Sequence, residues 1–330
     1  MLPTRFTSLE VCAGMGGQAL GLERAGFDPV ALIENDRDAC ATLRANRSQW
    51  RVLETDLLTF VPEDYLYDVD LMAAGLPRVK SMATIHKPED DYERKLLRAT
   101  VYLAHTVQPR ALLIENVPDL ATSDNFEGLR QFMRNELEHL GYKLHWNVLN
   151  AADFGVPQER KQGYLVALRE EYASHFHWPE PLPGHTPTVG AVLGASMAVN
   201  GWPHADEWAS LANRPAPTIV GGSKNRGGPD LGPTGSKNIW ARMGVNGEAV
   251  GDSLPDADFP WLPDAGDRKL LPKLTNPQVA ALQALPQDWT VCGRKTSTYR
   301  QIGHAAPPPV AEAMGRAIAT ALAAGLSSTS

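Results

Sequence analysis

Cysteine is scarce in this chain: there are three in 330 residues, Cys12, Cys40 and Cys292, with no CxxC spacing. An odd number without paired spacing argues against both a disulfide framework and a zinc site, so no metal is expected and buried free thiols are the expected state. Long apolar runs are missing as well. The longest, such as Ala111–Ile114 and Gly163–Leu168, are strand length against the ~20 residues of a membrane helix, so a soluble protein without a membrane partner is expected. The first glycine loop arrives within fourteen residues, and no basic segment followed by an apolar stretch precedes it. No secretory signal is read there, and the cytoplasm is the expected compartment. Excess positive charge is also lacking, since the formal net charge is −7. That average conceals an asymmetry. From Arg214 to Asn246 five basic residues (Arg214, Lys224, Arg226, Lys237 and Arg242) stand against Asp230 alone, and from Arg268 to Arg300 six, including Arg294 and Lys295, stand against Asp288 alone. Such runs are usually solvated faces; two in one half of an acidic chain favour a local surface for a polyanion.

What is present is an alternation, over the first 170 residues, of short apolar runs with helical patterns, the signature of an α/β fold with a mostly parallel, doubly wound sheet. Strands are expected near Ser8–Cys12, Pro29–Ile33, Val52–Thr55, Val69–Ala74, Arg110–Ile114, Lys143–Leu149 and Gly163–Leu168, with helices at Gln18–Ala25, Asp38–Asn46, Tyr92–Val107 and Glu127–Leu140. In the third helix Leu96, Leu97, Thr100, Val101, Ala104 and Val107 share one face and belong to the core. From about Tyr172 to Lys273 the pattern dissolves into Pro, Gly, Trp and Asn, which predicts a smaller loop-rich lobe. Helices return at Pro277–Ala284 and Val310–Leu322. The expected division is residues 1–171, 172–273 and 274–330, the last segment returning to the large domain.

Ala13-Gly14-Met15-Gly16-Gly17 follows the first strand and opens a helix, where glycine admits positive φ and free N–H groups face a ligand. Glu34, twenty residues after Gly14, ends the second strand, where a carboxylate accepts hydrogen bonds from ribose hydroxyls. By itself the spacing Gly14-x-Gly16-x-x-Ala19 fits an NAD site as well as a methyl-donor site, or a purely structural turn. More telling is that Asp56, Pro77-Arg78, Glu115-Asn116 and Gln158/Arg160 fall at or beside successive strand ends, where open α/β sheets place ligands. Each has a structural reading, as a helix cap, a buried ion pair or a surface charge; the set together favours a site.

Leu9-Glu10-Val11-Cys12-Ala13-Gly14-Met15-Gly16-Gly17 through Gly26-Phe27 resembles the first motif of bacterial cytosine-5 DNA methyltransferases. Glu115-Asn116-Val117 is similar to that family's ENV motif, Gly155–Arg160 to its GVPQxR segment, and Arg214–Ile219 to the segment leading into target recognition. Gln301-Ile302-Gly303-His304-Ala305-Ala306-Pro307-Pro308-Pro309-Val310 is similar to its closing QIGNAVPPPV. The resemblance implies that Cys12, Ala13, Gly14, Gly16, Gly17, Glu34, Asn35, Asp56, Gly75, His304 and Ala305 hold S-adenosylmethionine. It also implies that the loop-rich lobe reads double-stranded DNA and that a flipped cytosine meets Glu115 and Arg160.

The chain departs from the family at the position that carries the chemistry. Carbon 5 of cytosine is a poor nucleophile, and the family adds a cysteine thiolate to carbon 6 to activate it. That cysteine belongs to a Pro-Cys pair after the fourth strand; here the stretch reads Gly75-Leu76-Pro77-Arg78-Val79-Lys80-Ser81. A guanidinium stays protonated and offers no lone pair for attack. Gln158-Glu159-Arg160-Lys161-Gln162 likewise lacks the second arginine of the family's QxRxR, and His304 replaces asparagine. The expectation is a cofactor- and DNA-binding member with methyl transfer lost or strongly impaired, acting beside an active methyltransferase or nuclease in a modification or defence system. The rival reading is a nucleobase-modifying enzyme that uses the same methyl donor without a thiolate. An NAD-dependent oxidoreductase explains none of the C-terminal motifs.

Overall fold

The computed structural model describes residues 5–80, 91–184, 186–222 and 228–328. The chain divides into two compact units: the larger holds residues 1–149, 161–180 and 310–330, the smaller residues 150–160 and 181–309. The large unit thus ends its second segment nine residues beyond the expected boundary at 171, and of the expected returning segment 274–330 only the part from Val310 onward belongs to it. Residues 274–309 pack with the smaller unit, where buried Gln278 donates to Ser196 Oγ at 2.9 Å and Gln283 Oε1 accepts from Gln158 Nε2 at 2.8 Å.

All seven expected strands of the large unit form: β1 (Phe6–Val11), β2 (Phe27–Glu34), β3 (Val52–Glu54), β4 (Leu71–Gly75), β5 (Ala111–Asn116), β6 (Tyr142–Asn150) and, after the two-residue β7 (Gln158–Glu159), β8 (Lys161–Arg169). They make one seven-stranded sheet in the order β3-β2-β1-β4-β5-β8-β6. The strands from β3 to β5 pair in parallel, and β8 runs antiparallel to β5. The order reverses between β1 and β4, the switch point outside whose strand ends ligands bind in open α/β sheets.

Helices α1 (Gly17–Arg24), α2 (Arg37–Asn46), α3 (Tyr92–Val107), α4 (Pro118–Thr122), α5 (Glu127–His139) and α6 (Glu170–Ala173) connect and cover these strands. Asp36 caps α2 by accepting the N–H groups of Asp38 and Ala39, which satisfies two donors that the first turn leaves over. One sheet face is sealed by the expected apolar stripe of α3 together with α5: Leu9, Val11, Met72, Ala74, Leu112 and Ile114 are buried in one cluster with Leu97, Val101, Ala104, Val107, Leu129, Met133 and Leu137. Side chains alternate along a strand, so Ser8 and Glu10 of β1 point to the other face. Both are buried.

The smaller unit is rich in loops between residues 181 and 273, as expected, with short helices set among them. It contains α7 (Val189–Ala198), α8 (Ala205–Leu211), the two-residue β9 (Ala216–Pro217), α9 (Thr234–Arg242), α10 (Asn276–Leu282) and α11 (Lys295–His304), and β7 pairs with β9. The closing helix α12 (Pro308–Ser328) then leads back to the large unit. Tryptophan is the reason such short helices hold together. Trp208 and Trp240 are fully buried, the rings of Trp202 and Trp261 meet edge-to-face at 5.4 Å, and the indole N–H of Trp208 donates to the Gly244 carbonyl at 3.0 Å. A Cβ on Gly244 would lie 2.4 Å from the Trp261 ring, so glycine is required there both by this contact and by its positive φ. Among the described residues, no helix is long and apolar enough to cross a membrane.

Candidate functional site

In the large unit, the loop after β1 turns through left-handed conformations at Cys12 (φ 53°), Gly14 (φ 55°) and Gly16 (φ 91°). Glycine adopts these at little cost, whereas Cys12 carries strain that the surrounding contacts must offset. Gly16 is the N-cap of α1 and brings no side-chain cap, so the first-turn N–H groups remain available for a ligand. Glu34 holds this loop from the next strand. Its Oε2 accepts the Gly14 N–H at 2.7 Å, and its Oε1 accepts the N–H groups of Asn35 and Asp36 at 2.9 and 2.8 Å. Burial pushes the Glu34 pKa up, and the three backbone donors act against that shift. The carboxylate retains lone pairs for further donors such as the hydroxyls of a ribose.

Beside it lies a short polar chain that sequence reasoning missed in part. Asn35 Nδ2 donates to Tyr92 Oη, which donates in turn to Asp56 Oδ2, both at 3.3 Å. Asp56 also accepts the Leu58 N–H at 2.9 Å, which closes a turn just past β3 and leaves the residue at the strand ends. Burial, then the Asp56 charge, raises the Tyr92 pKa, keeping the phenol a neutral donor. Tyr92 opens α3 and was legible only as part of that helix. At the end of β4, a Cβ on Gly75 would sit 3.3 Å from Gln18 Oε1 and 3.4 Å from the Cys12 carbonyl; a side chain there would crowd the glycine loop. Cys12, Ala13, Gly14, Gly16, Gly17, Glu34, Asn35, Asp56 and Gly75 therefore gather at the carboxyl ends of β1 to β4. Left-handed glycines, a buried carboxylate with lone pairs to spare and a Cβ-free wall fit S-adenosylmethionine. Replacing Glu34 by alanine removes both a ligand acceptor and the tie on Gly14, and is expected to weaken binding of that cofactor by about 1.5–3 kcal/mol, roughly 10- to 150-fold. Titration calorimetry measures it; unchanged affinity would take Glu34 out of the site.

The next strand ends carry Arg78 and Glu115. Gly75 of β4 stands in register with Glu115 of β5, and Glu115 in register with Tyr164 of β8. Asn116 grips the intervening loop on either side of Arg78: its Oδ1 accepts the Val79 N–H at 3.0 Å and its Nδ2 donates to the Pro77 carbonyl at 3.2 Å. Arg78 reaches solvent, yet the protein packed round it lowers its guanidinium pKa, an effect that the Glu115 carboxylate opposes. Glu115 is buried, and its Oε1 accepts Gln162 Nε2 at 2.6 Å. Gln162, noticed in the sequence only as a missing arginine, thus stands beside this carboxylate. A Cβ on Gly163 would lie 2.5 Å from the Val117 carbonyl; this close approach fixes β8 against the ENV segment.

Arg160 belongs to the smaller unit. Its buried guanidinium donates from Nη1 to the carbonyls of Ile219 at 2.8 Å and Gly303 at 3.1 Å. Gln158 works alongside: it donates to Gln283 Oε1 at 2.8 Å and accepts the Ile219 N–H at 2.8 Å, while Gln283 donates to the Ile302 carbonyl at 2.8 Å. Three motifs distant in sequence are thereby stitched into one buried frame. His304 stays exposed, with Nε2 3.2 Å from the Gly222 carbonyl, and Ala305 is buried.

Among the expected DNA contacts, Arg214, Arg242 and Arg294 are exposed. Lys237 pairs with Asp230 at 2.9 Å and Glu248 at 3.5 Å, and Lys295 with Asp252 at 2.7 Å, so both lysines have acidic partners, and Glu248 and Asp252 lie outside the runs that the local charge count covered. Lys224 and Arg226 lie outside the described residues.

Comparison with known proteins agrees with this geometry. The model of the C-5 cytosine-specific DNA methylase family matches residues 6–320. The type II methyltransferase M.NaeI of Lentzea aerocolonigenes is 47% identical over 95% of this chain and 75% of its own length. M.NgoMIV of Neisseria gonorrhoeae, also a type II methyltransferase, is 41% identical over 96% of this chain and 98% of its own. In fold the chain is similar to a Spodoptera frugiperda DNMT2 variant (TM-score 0.64, 13% identity, 95% of this chain and 99% of that one). It is similar as well to the Entamoeba histolytica methyltransferase EhMeth (TM-score 0.61, 13% identity, 96% and 98%).

Proposed function

Because the chain belongs to the C-5 cytosine-specific DNA methylase family, whose methyl donor is S-adenosylmethionine, we propose that it binds this cofactor and double-stranded DNA but does not methylate cytosine by the thiolate route. The observation that carries the reading is Arg78, held by Asn116 at the end of β4 beside Glu115. The glycine loop and Glu34 keep the cofactor; the loop after β4 has lost the nucleophile. The smaller unit supplies the DNA surface, and a role beside an active methyltransferase or nuclease follows from binding without turnover. The test is to incubate the protein with duplex DNA and isotopically labelled S-adenosylmethionine and to analyse the nucleosides by mass. Cofactor binding without labelled base supports the proposal, whereas a labelled base other than 5-methylcytosine supports thiolate-independent chemistry.

DNA affinity should fall steeply with salt, since neutralised phosphates release counterions. Charge reversal at the exposed Arg214, Arg242 and Arg294 together is expected to lower affinity by at least about tenfold at low salt and to flatten the salt slope by up to about three contacts. Fluorescence anisotropy with a labelled duplex reads both. An unchanged slope would move the DNA surface elsewhere.

A further inference from the structure

Helix α3 starts at Tyr92 with little of what normally fixes a first turn. Asp91, the residue before it, gives no side-chain cap among the described residues, so first-turn N–H groups are left over. Two ion pairs stand near, Arg94 with Asp91 at 3.6 Å and Lys80 with Glu93 at 3.9 Å; at such lengths they hold little. The Tyr92 side chain leaves the helix instead and lands between two residues of the cofactor edge. Asn35 Nδ2 donates to Tyr92 Oη, and Tyr92 Oη donates to Asp56 Oδ2, each at 3.3 Å, longer than such bonds usually are. Asn35 follows β2, Asp56 follows β3 and Tyr92 opens α3, so one phenol ties three elements together. The donors run in one direction, from amide through phenol to carboxylate, an arrangement in which each bond strengthens the next. Tyr92 is 37% exposed, and water competes for both bonds.

We propose that Tyr92 is a positioning residue that couples occupancy of the cofactor's nucleoside half to the first turns of α3. The order of the sheet says which half is read. The reacting end of a methyl donor has to face the ends of β4 and β5, on the Glu115 side. Glu34, the ribose acceptor, ends β2, and Asp56 lies past β3, one strand farther from β4. The purine is therefore the part that comes up against Asp56. That carboxylate has room for it, since Oδ1 accepts the Leu58 N–H and Oδ2 the phenol, which leaves about two lone-pair sites. A base seated there shuts water out of the Asn35–Tyr92–Asp56 chain, and hydrogen bonds sheltered from water are stronger. The tightened chain holds Tyr92, and with it the turn that carries it, where the Lys95 N–H donates to the Asp91 carbonyl at 3.0 Å.

This inference rests on the cofactor reading above. The test is hydrogen exchange read by mass on the full chain, alone and saturated with S-adenosylhomocysteine or with adenosine, saturation being set by calorimetry. With either ligand, the amides from Lys95 to Ala99 are expected to exchange at least about threefold more slowly, within the range for one strengthened hydrogen bond. Tyr92→Phe keeps the ring and removes the hydroxyl. It should bind S-adenosylhomocysteine within about tenfold of wild type and, at saturation, show no ligand-dependent change in α3, while the glycine loop Ala13–Gly17 is still protected. Asn35→Ala, a second variant, retains the bond to Asp56 and should lose part of the α3 protection. Undiminished α3 protection in Tyr92→Phe overturns the inference, and so does a ligand-bound wild-type protein in which α3 exchanges at its free rate. Protection by S-adenosylhomocysteine but not by saturating adenosine also overturns it, by assigning the effect to the amino-acid half. Failure of the wild type to bind either ligand overturns the cofactor reading itself.

Discussion

Incubated with S-adenosylmethionine and duplex DNA carrying 5-fluorocytosine, the protein is expected to form no denaturant-resistant adduct. Trapping needs a nucleophile that adds to carbon 6 and stays attached after methyl transfer, because fluorine blocks release from carbon 5. Arg78 offers no lone pair at any pH at which the fold survives. Nor do the thiols of the large unit substitute. Burial, followed by the Glu34 charge, pushes both Cys12 and Cys40 up to about 12, leaving on the order of one thiolate per 10⁵ molecules at pH 7. Arg78→Cys alone should restore little: Val79 and Lys80 also depart from the family loop, and a nucleophile displaced by about 1 Å costs about 10²-fold. Denaturing electrophoresis with labelled duplex is the measurement. A retained band with the wild-type protein, absent without cofactor, would show that another group attacks the base.

The second large effect concerns stability, and it comes from Glu10. This β1 side chain is 1% exposed, and among the described residues neither carboxylate oxygen has a hydrogen-bond partner. Burial, with a smaller contribution from Glu23, raises its pKa from 4.5 to about 8. For an acid shifted upward, the neutral form belongs to the folded state and the charged form to the unfolded one. The stabilising contribution is therefore complete below about pH 4.5 and is lost progressively as pH rises through about 8. At about 1.36 kcal/mol per pH unit, the window between those values is worth at most about 5 kcal/mol. Glu10→Gln keeps the shape and cannot ionise. It should melt close to wild type at pH 5 and about 3–7 °C higher at pH 8.5. Calorimetric scans at the two pH values decide; a constant offset would mean that Glu10 is already neutral, or compensated, at both.

The parts of this molecule legible in the sequence are those whose signal is local and periodic. The β-strands announced themselves as short apolar runs, and α3 was placed to the residue because six core positions recur at helical spacing. That the glycine loop, Glu34 and Asp56 stand at strand ends was legible because each closes or follows a short apolar run. Helices α7 and α8 escaped a periodic reading for different reasons: Val189–Ala198 is apolar almost throughout and has no polar face to mark a period, whereas Trp208 of α8 finds its hydrogen-bond partner only at Gly244, far along the chain. Local charge counting failed at Lys237 and Lys295, since Glu248 and Asp252 lie outside the runs that were counted. Tyr92 and Gln162 sit in ordinary-looking stretches, and only the strand register and the turn into α3 give them neighbours.

The order in which the chain visits its two units bears on how it is made. The large unit takes residues up to 149 and then 161–180, and receives α12 only after residues 181–309 of the smaller unit have been laid down. A ribosome adding about 5–20 residues per second needs roughly 6–26 s to traverse that interval. Throughout it the nascent large unit lacks the helix whose Gly315 fits so closely against Leu22 and Ala25 of the first α-helical turn-back that a Cβ would lie 2.6 Å from Ala25 Cβ. Apolar surface meant for Met314, Ile318 and Leu322, all buried in the finished fold, stays open for that time. Newly made chains stalled or cleaved before Val310 are therefore the species on which chaperones and proteases would act, and expression yield should respond to the last twenty residues more than their distance from the site suggests.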